Sequence, residues 1–538
     1  MTSEPVPHLD ALIVGAGLSG IGMAWHLLNR CPSRRILLLE GRDRLGGTWD
    51  FFRYPGIRSD SDMFTLGYRF RPWREAKAIA DGPAILRYLT ETAEEAGITR
   101  LIRFRHRVTA ADWDTKANRW TVTAETPEGP RRFTCRLLLA CAGYYSYEEP
   151  HDPPLPGEER FAGIRFHAQH WPDALDHAGK RVVVVGSGAT AVTLVPALAK
   201  TAAHVTMLQR SPTWMVSRPS EDRVANAIRA LLPGRLAYWL VRWRNIALQR
   251  WVFELARRRP EQVGRRLLAM LEAELPPEQI AAHFTPRYNV WDQRLCLVPD
   301  GDLFRAIRSG RAEVVTDTIA EVTATGITTV SGRHIEADIL VKATGLTIRL
   351  MGGLAVSIDG VPQHLPDRFT YKAMMFEGIP NLVSVFGYTN ASWTLKADLT
   401  AEFACRLLNA LDAKGAAVAV AENRDPELAH EPWLDFTSGY VQRALPLLPK
   451  RGSKVPWKVH QNYLKDLRLI RHAPLEDGVL GFHRRWAPAP AAACSASAAP
   501  AAAPAPAEAQ AAAIPGSATG ASAPVSTASA ATGGTVPA

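Results

Sequence analysis

Leu12-Ile13-Val14-Gly15-Ala16-Gly17-Leu18-Ser19-Gly20 is an apolar run that breaks at a glycine and re-forms as a helical pattern, with Ile21, Trp25 and Leu28 on one face. A second apolar run, Ile36–Leu39, ends on Glu40. The order is strand, glycine turn, helix, strand, acid. Gly15 permits the tight turn, Gly17 lets a pyrophosphate approach the backbone, and Gly20 lets the helix lie close to the strand.

The same order recurs downstream. Residues 182–185 lead into Gly186-Ser187-Gly188-Ala189-Thr190-Ala191, a helical stretch runs to Leu198, and residues 205–208 lead to Arg210. Two such units in one chain predict an α/β protein with two Rossmann-like dinucleotide-binding domains. The residue after the second strand separates their ligands. Glu40 is placed to accept hydrogen bonds from ribose hydroxyls and repels a 2′-phosphate, so the first unit is expected to hold FAD. Arg210, helped by the Ser211 hydroxyl, suits the 2′-phosphate of NADPH.

Composition narrows the class. The 538 residues allow two or three domains, and 22% charged residues are ordinary for a globular chain. The net charge of +10 comes from scattered arginines and reads as a solvated surface that also favours an anionic nucleotide, not as a nucleic-acid site. No stretch of eighteen apolar residues predicts a membrane span, and the polar first residues leave no room for a secretory signal. Six cysteines (31, 135, 141, 296, 405, 494) form no CxxC pair and no metal-like spacing, which fits reduced thiols in a cytoplasmic protein and no metal site.

The expected division is an FAD domain in two parts (8–155 and 349–486), an NADPH domain in two parts (156–222 and 285–348), a helical insertion (223–284) and a disordered Ala/Pro-rich tail (487–538). Within the insertion, Leu236, Leu240, Trp243, Ala247 and Trp251 recur at helical spacing. That stripe either packs on the domain body or forms a basic amphipathic face touching lipid, as at a peripheral membrane site.

Two short fingerprints complete the reading. Gly46-Gly47-Thr48-Trp49 is followed by Tyr54-Pro55-Gly56 and Asp60, and Phe161-Ala162-Gly163 is followed by His167 and Trp171-Pro172. Together with the two glycine motifs they resemble the signatures of flavin-dependent Baeyer–Villiger monooxygenases of the single-chain type. The likeness runs from about Leu12 to about Phe403. Segments 53–64, 288–304 and 387–395 are similar to the actinobacterial branch that includes the ethionamide-activating monooxygenase.

The resemblance implies FAD, NADPH and O2 as reactants. It also implies a C4a-peroxyflavin that converts ketones to esters and oxygenates sulfur in thioethers or thioamides. It places the cation facing the peroxyanion at Arg294 and the carboxylate that orients it at Asp60. Thr48, Trp49, Arg58, Ser59, Asp60 and Val108 are expected among the cofactor contacts, with Gly15, Gly17, Ser19, Gly20 and Glu40 on the FAD side. Gly186, Gly188, Ala189, Thr190, Ala191, Arg210 and Ser211 are expected on the NADPH side. Gln293-Arg294 departs from the Lys-Arg pair of many relatives. His167 and Trp171 read as interdomain latches instead of a general base. Cys141-Ala142-Gly143 and Ala343-Thr344-Gly345 read as backbone crossings near the cofactors.

Three rivals stand beside this reading. An N- or S-oxygenating flavin monooxygenase without ketone chemistry usually ends its second fingerprint on an aromatic other than Trp171. A disulfide reductase needs a redox cysteine pair, which this chain lacks. A flavin-binding sensor without turnover is separable by NADPH consumption.

Overall fold

The apolar runs become parallel strands whose ends line up. In the computed structural model, which describes residues 6–434 and 436–488, strand β1 (His8–Val14) pairs in parallel with β2 (Ile36–Leu39) and with Arg131–Ala140. Val14 lies opposite both Leu39 and Ala140, and Ala140 lies opposite Ser384 of Leu382–Ser384. The residues that leave these strands, Gly15, Glu40 and Cys141, therefore emerge along one edge. In open α/β sheets that carboxyl edge is where ligands bind. An antiparallel meander of Arg107–Asp114, Arg119–Glu125 and Arg131–Ala140 extends the sheet on its other side, where Ala355–Ile358 joins it.

A second sheet is wholly parallel, in the order Ala312–Thr316, His204–Gln209, Arg181–Val185, Ile339–Lys342, Ile164–His167. Val182, Val183, Val184, Val205 and Val341 are buried to the last few per cent, as expected for strands covered on both faces. Its carboxyl edge releases Gly186, Arg210 and Ala343. The fold is thus a doubled α/β architecture. The tail expected to lack order lies, from residue 489 on, outside the described residues, as does Cys494.

Helix α1 (Leu18–Arg30) starts at the first glycine turn and packs against the long helix Trp393–Ala413, which returns from the far end of the sequence. Buried Ile21, Met23, Leu27, Leu399, Phe403 and Leu407 belong to one core under the first sheet. Fully burying a side chain of this size stabilises by about 1.5–3 kcal/mol, so this contact is what closes a domain written at both ends of the chain.

Residues 223–284 fold as helices: Arg223–Leu231, Gly234–Arg258, Pro260–Leu271 and Pro277–His283. The face that anchors the long helix Gly234–Arg258 is not the apolar stripe. Tyr238, Val241, Arg242, Asn245 and Ile246 are buried, whereas Leu236, Trp239, Ala247 and Trp251 are exposed. Tyr238 and Val241 join the core under the first sheet, and polar bonds add to them, Arg242 lying 3.7 Å from Asp398. Arg242 donates to the carbonyls of Phe64 (2.8 Å), Thr65 (3.2 Å) and Gly67 (2.7 Å), which satisfies a buried cation with backbone oxygens. Asn245 and Gln249 donate to the Asp62 carboxylate at 3.0 and 2.6 Å, so the insertion grips the loop that carries Asp60 from behind.

Candidate active site

The first glycine turn forms a cradle that no larger residue could make. Gly15 has φ +99°, and a Cβ there would stand 2.8 Å from the Cys141 carbonyl oxygen. A Cβ on Gly20 would lie 1.9 Å from the Gly15 carbonyl oxygen. Gly17, the N-cap of α1, faces Gly47 across the turn and has no side-chain cap, which leaves the first amides of the helix for an anionic group. Glu40 is buried, and its carboxylate accepts from the Ala16 amide at 2.7 Å and the Arg42 amide at 3.0 Å. Those two bonds fix its orientation beside the cradle and leave lone pairs for ribose hydroxyls. Ser19 accepts a hydrogen bond from Trp393 Nε1 at 2.9 Å, tying α1 to the start of the returning helix.

The second turn has the same design with a more open mouth. A Cβ on Gly186 (φ +145°) would meet the Ala343 carbonyl oxygen at 2.4 Å, whereas one on Gly188 would meet nothing within 4 Å. Gly188 also lacks a side-chain cap at the start of Ala189–Leu198. Arg210 and Ser211 are exposed beside it. Among the described residues Arg210 has no carboxylate partner, so its charge is available to a phosphate.

Both turns open on one cavity of about 1460 Å³. Of the residues singled out from sequence, Gly15, Gly17, Ser19, Glu40, Thr48, Trp49, Arg58, Ser59, Asp60 and Val108 line it. So do Gly186, Gly188, Ala189, Thr190, Arg210, Ser211 and Arg294. Gly20 and Ala191 do not; each lies one helical turn in, where the helix presses on its strand. Arg58 is held by an ion pair with Asp302, and Ser59 is bonded to Ser61, so these two reach the cavity while serving the loop. The two glycine cradles, the anchored acid and the free arginine fit a flavin dinucleotide on the first edge and a 2′-phosphorylated one on the second.

Where the two edges meet, Arg294 Nε lies 3.5 Å from Asp60 Oδ2. Arg294 stands in the turn that precedes Cys296–Pro299 and faces the cavity. Burial works against its charge, but the Asp60 carboxylate and the phenols of Tyr144, Tyr145 and Tyr440 outweigh it and raise its pKa further. It stays cationic at every accessible pH. Tyr144 stacks on Trp393 with ring centroids 4.8 Å apart, and burial pushes its phenol up to about 12. Beside Arg294, Phe386, Leu434, Phe436, Tyr440 and Val441 enclose a small apolar recess.

Tyr144, Tyr145, Tyr440 and Trp393 were not singled out from sequence. Tyr144 and Tyr145 directly follow Cys141-Ala142-Gly143, so their place after a strand's carboxyl end was a usable signal. Trp393, first in a 21-residue helix behind Ser392, was another. Tyr440 carried none.

His167 is not at the chemistry. It is buried, its Nδ1 accepts from the Gln169 amide at 3.1 Å, and burial depresses its pKa to about 4, so it is neutral. Its segment reaches the first sheet through Gln169, whose amide donates to the Ser146 and Tyr147 carbonyls at 3.0 and 3.2 Å. Burial raises the Cys141 thiol pKa, which keeps it protonated and unreactive.

Residues 79–283 match the flavin-binding monooxygenase-like family and residues 13–79 the NAD(P)-binding Rossmann-like domain. FAD-containing monooxygenase EthA of Mycobacterium tuberculosis is 52% identical over 483 residues, which is 89% of this chain and 99% of that protein. The EthA of Mycolicibacterium smegmatis is 50% identical over 482 residues, 89% and 98% of the two chains. Among solved structures, an oxidized steroid monooxygenase bound to NADP superposes with a TM-score of 0.66 at 25% identity, covering 78% of this chain and 88% of that one.

Proposed function

This chain belongs to the FAD-containing monooxygenases, and from that premise we propose that it inserts one oxygen atom of O2 into ketones to give esters and oxygenates sulfur in thioethers or thioamides. It is an NADPH-dependent flavoprotein enzyme, with FAD and NADPH as cofactors. Bound flavin, reduced by NADPH, supplies the activation of O2. The chain supplies binding, orientation and charge.

The observation that carries the ketone reading is the ion pair between Arg294 and Asp60 at the junction of the two glycine edges. Attack on a carbonyl builds negative charge on oxygen, and a cation already positioned beside that oxygen stabilises it without reorganising. Asp60 orients that cation. The aromatic and aliphatic walls beside it, Phe386, Phe436 and Tyr440, suit an apolar substrate.

We assign FAD to Gly15, Gly17, Ser19, Glu40, Thr48, Trp49 and Val108, and NADPH to Gly186, Gly188, Ala189, Thr190, Arg210 and Ser211. Arg58 and Ser59 hold the Asp60 loop against both cofactors, and Gly20 and Ala191 act through packing. We keep the two-part division of each dinucleotide domain, with boundaries at 155, 222, 284 and 348; the change of sheet between Ala140 and Ile164 and between Lys342 and Ala355 supports the first and the last. The buried thiols of Cys31, Cys135, Cys141, Cys296 and Cys405 are in keeping with a cytoplasmic enzyme.

The test is purified enzyme with NADPH, offered an aryl ketone and an aryl thioether, with product mass measured beside NADPH consumption. Ester and sulfoxide together are expected. Sulfoxide without ester would leave the N- or S-oxygenating reading in its place, and no coupled product would remove both.

A further inference from the structure

We propose that the outward face of the helix Gly234–Arg258 docks on an anionic lipid surface. At 100° per residue, Leu236, Leu240, Trp243, Ala247 and Trp251 form one stripe with Trp239 at its margin. The structure leaves Leu240 and Trp243 half-buried and turns the rest of the stripe, with Trp239, to solvent. Leu236 is 48% exposed, Trp239 55% and Trp251 59%, while the opposite face of the same helix buries Arg242 and Asn245. The helix thus carries two apolar surfaces: a buried one of Ala237, Tyr238, Val241 and Ile246 interleaved with Arg242 and Asn245, and an exposed one of Leu236, Trp239 and Trp251.

The second, exposed apolar surface needs a reason. Arg242, Asn245 and Gln249 hold the helix through the bonds to the Met63–Leu66 turn and Asp62, Tyr238 and Val241 join the main core, and Trp243 packs against Tyr463, so the exposed Leu236, Trp239 and Trp251 are not needed to anchor it. Leu231, at the end of the preceding helix Arg223–Leu231, is 82% exposed as well. Exposed apolar surface of this extent marks a contact with something else.

Charge selects the occupant. Residues 223–284 contain eleven arginines and five carboxylates, an excess of six positive charges in a chain whose net charge is +10. On the outward side, Arg250 and Arg258 share the single carboxylate of Glu254, at 2.7 and 3.7 Å. Among the described residues the exposed Arg235, Arg259, Arg265 and Arg266 have no carboxylate partner. A second copy packed symmetrically on this face would set arginine against arginine. An anionic bilayer instead accepts the cations at its headgroups, the tryptophans at the interface and the leucines just below. On its inner side the helix packs Ile246 with Tyr388, which lines the cavity, so docking sets one wall of the site a single helix away from lipid.

The experiment uses the full chain and sucrose-loaded vesicles of phosphatidylcholine, with or without one-third phosphatidylglycerol. Sedimentation should carry down at least roughly ten-fold more protein with the anionic vesicles, and the excess should fall in high salt. A Trp239→Ser/Trp251→Ser variant should keep its flavin absorbance and lose vesicle binding. A Trp239→Phe/Trp251→Phe variant should still sediment but lose most of the fluorescence quenching that brominated lipid causes in the unaltered chain. This second variant tests the orientation even if the serine variant fails to fold. The proposal is overturned if the unaltered chain does not sediment with anionic vesicles, if the folded serine variant binds them equally, or if the phenylalanine variant is quenched as strongly. A dimer that the serine substitutions dissociate, with no vesicle binding, would assign the face to a second copy and also overturn it.

Discussion

Arg294 and Asp60 face each other at 3.5 Å across the line where the two glycine edges converge. Neither belongs to a glycine motif. Asp60 comes from the loop after the first fingerprint, steadied from behind by the insertion. Arg294 comes from the turn that leads back from the insertion into Cys296–Pro299. Their meeting places a permanent cation in the cavity onto which both glycine turns open.

Replacing Arg294 with alanine should therefore abolish ester formation from ketones while flavin absorbance is retained, because no FAD assignment rests on this residue. NADPH should still be consumed in air, with hydrogen peroxide as the product. Asp60→Ala should reduce ester yield less severely, since it positions the arginine. Product analysis beside peroxide detection decides. Ester at near the unaltered yield in Arg294→Ala would remove the residue from the reaction.

Arg210 should set the coenzyme preference. It has no competing carboxylate among the described residues, so Arg210→Ala should lower the NADPH-over-NADH ratio of kcat/KM by about ten- to a hundred-fold, the equivalent of roughly 1.5–3 kcal/mol for a charge-assisted contact. An unchanged ratio would assign the 2′-phosphate to another residue.

Two glycines separate packing from binding. A Cβ at Gly20 would lie 1.9 Å from a backbone oxygen, so Gly20→Ala should yield protein that is poorly folded or free of flavin. A Cβ at Gly188 meets nothing within 4 Å, so Gly188→Ala should fold with normal flavin content and raise the KM for NADPH. Thermal midpoints and flavin absorbance test the first half, and steady-state kinetics the second.

His167 makes stability pH-dependent on the acid side. Its pKa is about 4 in the folded chain against 6.5 when free, a depressed value caused first by burial. Below pH 6.5 the unfolded chain takes up a proton that the folded chain refuses, so stability falls until the folded histidine titrates near pH 4. The loss is on the order of 3 kcal/mol across that window. His167→Asn keeps an acceptor for the Gln169 amide and should flatten this part of the curve. Denaturant midpoints measured between pH 7 and 4 provide the comparison, and parallel slopes in the two proteins would contradict the assignment.

Much of this architecture was legible residue by residue. Gly15, Gly17, Gly20 and Glu40 announce a dinucleotide turn because only glycine fits its φ angles and close approaches, and a one-dimensional pattern carries that constraint. Gly186, Gly188 and Arg210 do the same for the second. The exposure of Leu236, Trp239 and Trp251 was not legible, since periodicity shows that a helix has an apolar face but not which way it turns. Arg242, bonded to three backbone carbonyls far from it in sequence, and Tyr238 and Val241, packed into the main core, decided that. Tyr440 near Arg294, and Trp393 bonded to Ser19, were hidden for the same reason. Local sterics are written in neighbouring residues, whereas contacts between distant segments exist only once the whole chain has packed.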